Sequence, residues 1–177
     1  MSWFEDLKIG ETRDLGTYTF TEENITRFAR SFDPQPFHLS DAAARETHFG
    51  ALCASGWHTA AVWMKLLVAS VKAEAERTGE PSRFGPSPGF SDLKWIRPVF
   101  AGDTIRYTSR LVDRMPLKTR PAWGLAVHEN EGINQDGVTS SWIGMPYSPV
   151  IGISGLSLRS SSIAPGTSFS SRKPRRW

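Results

Sequence analysis

The run from Ala51 to Val71 is the most apolar of the 177-residue chain, and any fold must find a place for it. Ser55 can cap a helix that starts at Gly56 and runs toward Arg77, because a serine oxygen satisfies one of the free amides of a first turn. A bilayer is one destination for such a helix. His58 and Lys65 interrupt the run, however, and no clean apolar stretch of about 18 residues remains. The helix is therefore expected in a protein core, with no membrane span. A chain of this length builds one sizeable core, so the remaining sequence must supply the surface against which the helix packs.

That surface is predicted downstream. Glu80 to Gly89 is rich in Pro, Gly and Ser and reads as a connection. Three or four strand-like segments follow: Phe90 to Ile96, Thr104 to Val112, Trp123 to Glu129 and Gly137 to Met145. Turn signals at Pro98 to Asp103, Arg114 to Pro121 and Glu131 to Asp136 separate them. A long helix followed by an antiparallel meander is an α+β order. Upstream, Thr17 to Phe20 reads as a short strand leading into a helix capped by Thr21, with Glu22 and Glu23 in the first turn. Ile25, Phe28 and Ala29 share one face of that helix. It must stop near Phe32, because Pro34 and Pro36 confine the residues before them to extended geometry. Phe32 to Ser40 then reads as a rigid loop, and a short helix is expected from Asp41 to about Thr47.

From Pro146 the composition turns to Ser, Gly, Pro and Arg. The expected division is a domain over residues 1–147 and a Ser/Arg-rich tail over 148–177, too poor in apolar surface to order well. The tail also explains the formal charge of +3. Five basic and no acidic residues follow Val150, which leaves the first 149 residues with sixteen basic and eighteen acidic side chains. Such a body is not a nucleic-acid surface by charge. Glycine-rich phosphate loops are absent as well. The lone Cys53 excludes an internal disulfide framework and suits a reducing, cytoplasmic location. The segment Met1 to Asp6 has no basic stretch before an apolar core and reads as mature protein.

Phe32-Asp33-Pro34-Gln35-Pro36-Phe37-His38 holds a carboxylate and an imidazole in one proline-stiffened stretch, and proton transfer needs two such groups in fixed relation. For an arbitrary Asp and His at this spacing, a capping aspartate and an incidental histidine are the commoner outcome. The wider pattern tips the reading. Asp-Pro-Gln-Pro-Phe-His, then Phe49-Gly50, then Ala54-Ser55-Gly56 opening a long apolar helix, resembles the MaoC-like dehydratases, relatives of the (R)-specific enoyl-CoA hydratases. Pro98-Val99-Phe100-Ala101-Gly102-Asp103-Thr104 is similar to a second landmark of that family, and the resemblance extends over roughly Phe20 to Met145.

The resemblance implies a hot-dog fold, an antiparallel sheet wrapped around a long central helix, with sheets joined edge to edge in homodimers or higher assemblies. It implies a hydro-lyase that reversibly hydrates a trans-2-enoyl thioester, carried on coenzyme A, to a 3-hydroxyacyl thioester. An acyl-CoA is then the partner, and no cofactor is needed beyond the coenzyme A of the substrate. The family's catalytic pair falls on Asp33 and His38, and its carbonyl-binding amide on Gly56. A helix start offers free N–H groups and the positive dipole end, and glycine lets a ligand approach closely. Phe37, Phe49 and Trp57 are candidates for the substrate pocket, although core filling is the commoner role for Trp57, Trp63 and Met64. The family pattern carries Gly and Asn where this chain has Phe32 and Gln35, and the helix start lacks the serine found in some relatives.

Two other functions fit the same fold. A thioesterase would usually carry an acid on or beside the central helix, and no Asp or Glu lies between Glu46 and Glu74. An acyl-thioester-binding or assembly subunit without catalysis is opposed by the intact Asp33 and His38 and favoured by the irregular C-terminus. His48 and His58 show no compact ligand motif, so no metal is expected; they read as a surface and a helix-packing histidine. Cys53 reads as core, and His128, alternating with Val127, as solvent-facing. The Arg172-Lys173-Pro174-Arg175-Arg176 run reads as a solvated terminus.

Overall fold

A computed structural model of the chain describes residues 4, 6–82, 85, 87, 89–118, 123–143 and 147–151. In chain order the elements are β1 (Thr12–Thr19), α1 (Glu22–Phe32), α2 (Pro36–Leu39), α3 (Asp41–Arg45) and α4 (Gly56–Thr78). They are followed by β2 (Lys94–Trp95), β3 (Thr104–Pro116), β4 (Trp123–Ile133), β5 (Thr139–Ile143) and β6 (Tyr147–Ile151). The sheet is antiparallel throughout, in the order β1-β3-β4-β5-β2. Strands β5 and β6 pair successively with the same strand, β5 with the 130–133 end of β4 and β6 with its 123–127 end.

The helix starts follow the local chemistry read from the sequence. Thr21 accepts the amide of Asn24, and Ser55 accepts that of Trp57. Pro36 does not merely stiffen a loop. Its fixed φ suits a first helical turn, and the stretch expected as a rigid loop contains the one-turn helix α2, which ends where Ser40 caps α3.

The strands differ more from expectation. β1 begins at Thr12, five residues before the expected start, and β3 and β4 run to Pro116 and Ile133. Apart from Leu15, which is buried in the core, these extensions show no apolar alternation, but a neighbouring strand takes up their backbone hydrogen bonds, which holds them in the ladder. Conversely, the expected strand from Phe90 to Ile96 contracts to Lys94–Trp95, which among the described residues pairs with β5 alone. The tail expected from residue 148 begins inside β6, since Ser148 to Ile151 pair with β4; residues 152–177, with the Arg172 to Arg176 run, lie outside the described residues.

One face of α4 lies on the sheet. Val62 and Trp63 join Phe20, Ile25, Ile105 and Tyr107 in the main core. Trp57, Met64 and Val68 remain exposed, so only Trp63 of the three bulky residues at the helix start fills the core. Among the described residues no helix is long and apolar enough to cross a membrane. Tyr107, fully buried, joins sheet to helix through its hydroxyl, which donates to the Thr59 carbonyl at 3.1 Å. Tyr107→Phe is expected to cost about 1 kcal/mol for that bond, and Tyr107→Ala about 3–5 kcal/mol for the cavity it leaves. Urea unfolding of the two variants measures both losses.

Candidate active site at the start of the central helix

Asp33 and His38 sit on either side of the turn that Gln35 and Pro36 make between α1 and α2. Asp33 is the C-cap of α1, its amide donating to the Ala29 carbonyl, and His38 lies in α2. His38 is buried, and its Nδ1 lies 2.7 Å from the Cys53 carbonyl. A carbonyl can only accept, so Nδ1 carries a hydrogen, and in the neutral form of the ring Nε2 is then the nitrogen with the lone pair. Nε2 faces Asp33 Oδ2 at 3.5 Å.

The Cys53 carbonyl is itself held in place. Residues 52–54 lie antiparallel to 99–101: Ala54 donates to the Val99 carbonyl at 2.7 Å and Ala101 to that of Leu52 at 3.1 Å, with Cys53 and Phe100 bridged between them. The turn after Phe100 is closed by Asp103, whose Oδ2 accepts the Phe100 amide at 2.8 Å. Gly102, at φ +96°, supplies the left-handed residue this turn needs. The Pro98 to Asp103 stretch thus has a mechanical function, aligning the strip that carries the Cys53 carbonyl.

Asp33 is partly exposed, with about a fifth of its side chain open to solvent (19%). Burial alone would raise its carboxyl. Hydrogen bonds from Ser55 and Gln35, and the neighbouring His38, outweigh that and hold it below the usual carboxylate value. Gln35 Nε2 donates at 2.8 Å. Ser55 does double duty: its oxygen also accepts the Trp57 amide at 3.2 Å, which ties Asp33 to the first turn of α4.

These residues line a cavity of about 420 Å³ together with Phe37, Phe49, Gly56, Trp57, Trp95 and Arg97. That volume falls within the usual range for small-molecule sites. Every residue selected from the sequence for catalysis, carbonyl binding or the pocket therefore lines one cavity. Gly56 is the first residue of α4. A Cβ at position 56 would lie only 2.2–2.4 Å from atoms of the Trp95 indole. The glycine thus seats an aromatic ring as well as opening the helix end.

A family model described as MaoC like domain matches residues 6–124. The chain belongs to the MaoC-like domain family. It is 31% identical to the MaoC-like dehydratase from Rhodospirillum rubrum, whose crystal structure superposes with a TM-score of 0.72 over 86% of this chain and 98% of that one. The (R)-hydratase from A. caviae shares the hot-dog fold, with a TM-score of 0.59 and 19% identity over 83% of this chain and 98% of that one. The uncharacterized protein YdeM of Bacillus subtilis is 26% identical over 114 residues, 64% of this chain and 76% of that protein.

Within this MaoC-like domain the sequence reading missed Ser55, Trp95 and Arg97 as site residues. Ser55 was legible only as a helix cap. Trp95 and Arg97 come from a segment more than fifty residues beyond the pair and carry no local signal. Cys53 is buried, and burial pushes its thiol up to about 11, a poor nucleophile. His48 is exposed, and among the described residues no group of three or more His, Cys, Asp or Glu side chains is placed to hold a metal ion. His128 does not face solvent freely as expected. It is half-buried, and burial and Arg13 push it down to about 4.

His58 packs α1 against α4, its ring stacked on Phe28 with centroids 4.5 Å apart. Burial and the charge of Arg27 push it down to about 4. Between pH 6.5 and about 4 the unfolded chain therefore binds protons at His58 and His128 that the folded chain refuses, and stability falls as pH drops through this window. The contribution of Asp33, lowered from 3.8, is intact above that value and is lost only as the pH falls further. His58→Phe, measured by thermal unfolding at pH 7 and pH 4.5, should lose less stability between the two than the parent chain.

Proposed function

We propose that this MaoC-like domain is a hydro-lyase that reversibly hydrates a trans-2-enoyl thioester of coenzyme A to the 3-hydroxyacyl thioester, in the cytoplasm, where its lone cysteine stays reduced. One observation carries this reading: the Nδ1 hydrogen of His38 is committed to the Cys53 carbonyl, which leaves Nε2 facing Asp33 Oδ2 at 3.5 Å. Two acceptors side by side can take both hydrogens of a single water and aim its oxygen.

In the hydration direction His38 Nε2 takes a proton from that water as the oxygen bonds to C3. The C2=C3 electrons move onto the thioester oxygen as an enolate. Asp33 stabilises the imidazolium that forms, and C2 takes a proton back from the pair, restoring the starting state. The Gly56 amide, at the positive end of α4, stabilises the enolate oxygen. Arg97 lines the same cavity, and a guanidinium suits a phosphate of the carrier. No side chain beyond those in the chain is required, so the only coenzyme involved is that of the substrate.

A second copy of the chain belongs to this proposal. Trp57, Ala61, Met64 and Val68 follow one another along α4 at intervals of four, three and four residues and are all exposed. Such an apolar stripe favours a covering surface, and sedimentation of the purified chain should give at least twice its mass.

Loss of the conjugated enoyl-thioester absorbance is the direct assay. Asp33→Asn and His38→Ala should each lower kcat by at least about 100-fold, the usual scale for a lost general acid or base. Release of free thiol would indicate hydrolysis instead, and binding of every enoyl thioester without turnover would indicate a non-catalytic subunit.

A further inference from the structure

The volume beside Gly56 is occupied by a side chain that the proposed chemistry does not use. The indole of Trp95 lies where a Cβ at position 56 would sit, 2.2–2.4 Å from that point. Its backbone is fixed to the sheet: Lys94 and Trp95 pair with Trp142 and Ser141, and the amides of Ile96 and Arg97 both donate to the Ser140 carbonyl. Its ring meets that of Trp57 edge-on, with centroids 5.3 Å apart. Trp95 is nevertheless 47% exposed. An aromatic ring held from a two-residue edge strand, half open to solvent and pressed against the helix start, is a cavity wall and not part of the core.

We propose that Trp95 is a specificity-determining residue that limits the size of the acyl group accepted. The proposal rests on the thioester reading of the same cavity. Asp33, His38 and Trp95 all line that cavity. A thioester whose carbonyl oxygen rests on the Gly56 amide has its first acyl carbons beside the indole. A flat, short enoyl group fits along that face, whereas a long or branched one must occupy the space the indole fills. Removing the indole leaves a void continuous with the cavity, and substrate methylenes can fill it. Discrimination at an apolar wall of this kind is worth roughly tenfold or more per methylene.

The test compares crotonyl-CoA with trans-2-decenoyl-CoA, and in parallel the binding of butyryl-CoA and decanoyl-CoA by calorimetry, on the full chain. The parent should favour the short ligand of each pair. Trp95→Ala should raise the long-to-short ratio of kcat/KM, and of affinity, by at least about tenfold. Trp95→Phe, which keeps a ring against Gly56, should raise it less, and it serves as the test if the alanine variant fails to fold. Equal losses on both chain lengths, with the ratio unchanged, would mean that Trp95 only supports the fold and would overturn the proposal. Absence of turnover in the parent would refute the hydratase reading alone, because the binding ratio still judges Trp95. Failure to bind either acyl-CoA would overturn both.

Discussion

The hydrogen bond from His38 Nδ1 to the Cys53 carbonyl, at 2.7 Å, is the interaction on which the rest of the site depends. It fixes which ring nitrogen carries the hydrogen, the direction the other faces, and the burial of the imidazole between α2 and the strip at 52–54. Its acceptor is a backbone group, so no side-chain substitution at position 53 removes it directly. The carbonyl is positioned by the pairing of 52–54 with 99–101, and that pairing by the turn that Asp103 and Gly102 close. A mechanical chain therefore runs from the polar turn at 100–103, through the paired strips, to the imidazole of His38.

Asp33 is organised differently. It lies at the end of α1, where the helix has run out of partners for its own backbone, and neighbours hold its carboxylate on several sides. Ser55 and Gln35 donate to it and His38 faces it, which outweighs the cost of burial and keeps it charged. The Gln35 amide reaches the carboxylate at 2.8 Å from only two residues away, across the turn that leads into α2. Ser55 joins this carboxylate to the amide end of α4, so Asp33, His38 and the helix start form one connected unit.

The same architecture leaves apolar surface uncovered. The sheet covers one side of α4, while Trp57, Met64 and Val68 lie on an exposed stripe and Trp95 stands at the sheet edge beside Trp57. The helix was expected to be enclosed because of its composition. Composition alone sets the demand for burial without saying whether this chain or another surface meets it. The buried histidines show the converse. His58 is polar by type, yet it is stacked on Phe28 and held neutral, serving as packing between two helices.

Much of this protein was determined by the sequence alone, wherever the governing physics is local. The caps at Thr21 and Ser55, the end of α1 before Pro34, and the span of α4 follow from hydrogen-bonding side chains and proline geometry within a few residues. Asp33, His38 and Gly56 were legible because the motif that carries them is contiguous or opens a helix. Tertiary structure decided whatever depends on a partner distant in the chain. It lengthened β1, β3 and β4 through backbone pairing that side-chain patterns do not encode, and it placed Ser148 to Ile151 in a strand. It selected the His38 tautomer through a carbonyl fifteen residues away. It also set Trp95 against Gly56, because only closure of the sheet edge onto the helix start brings residues 39 positions apart into contact.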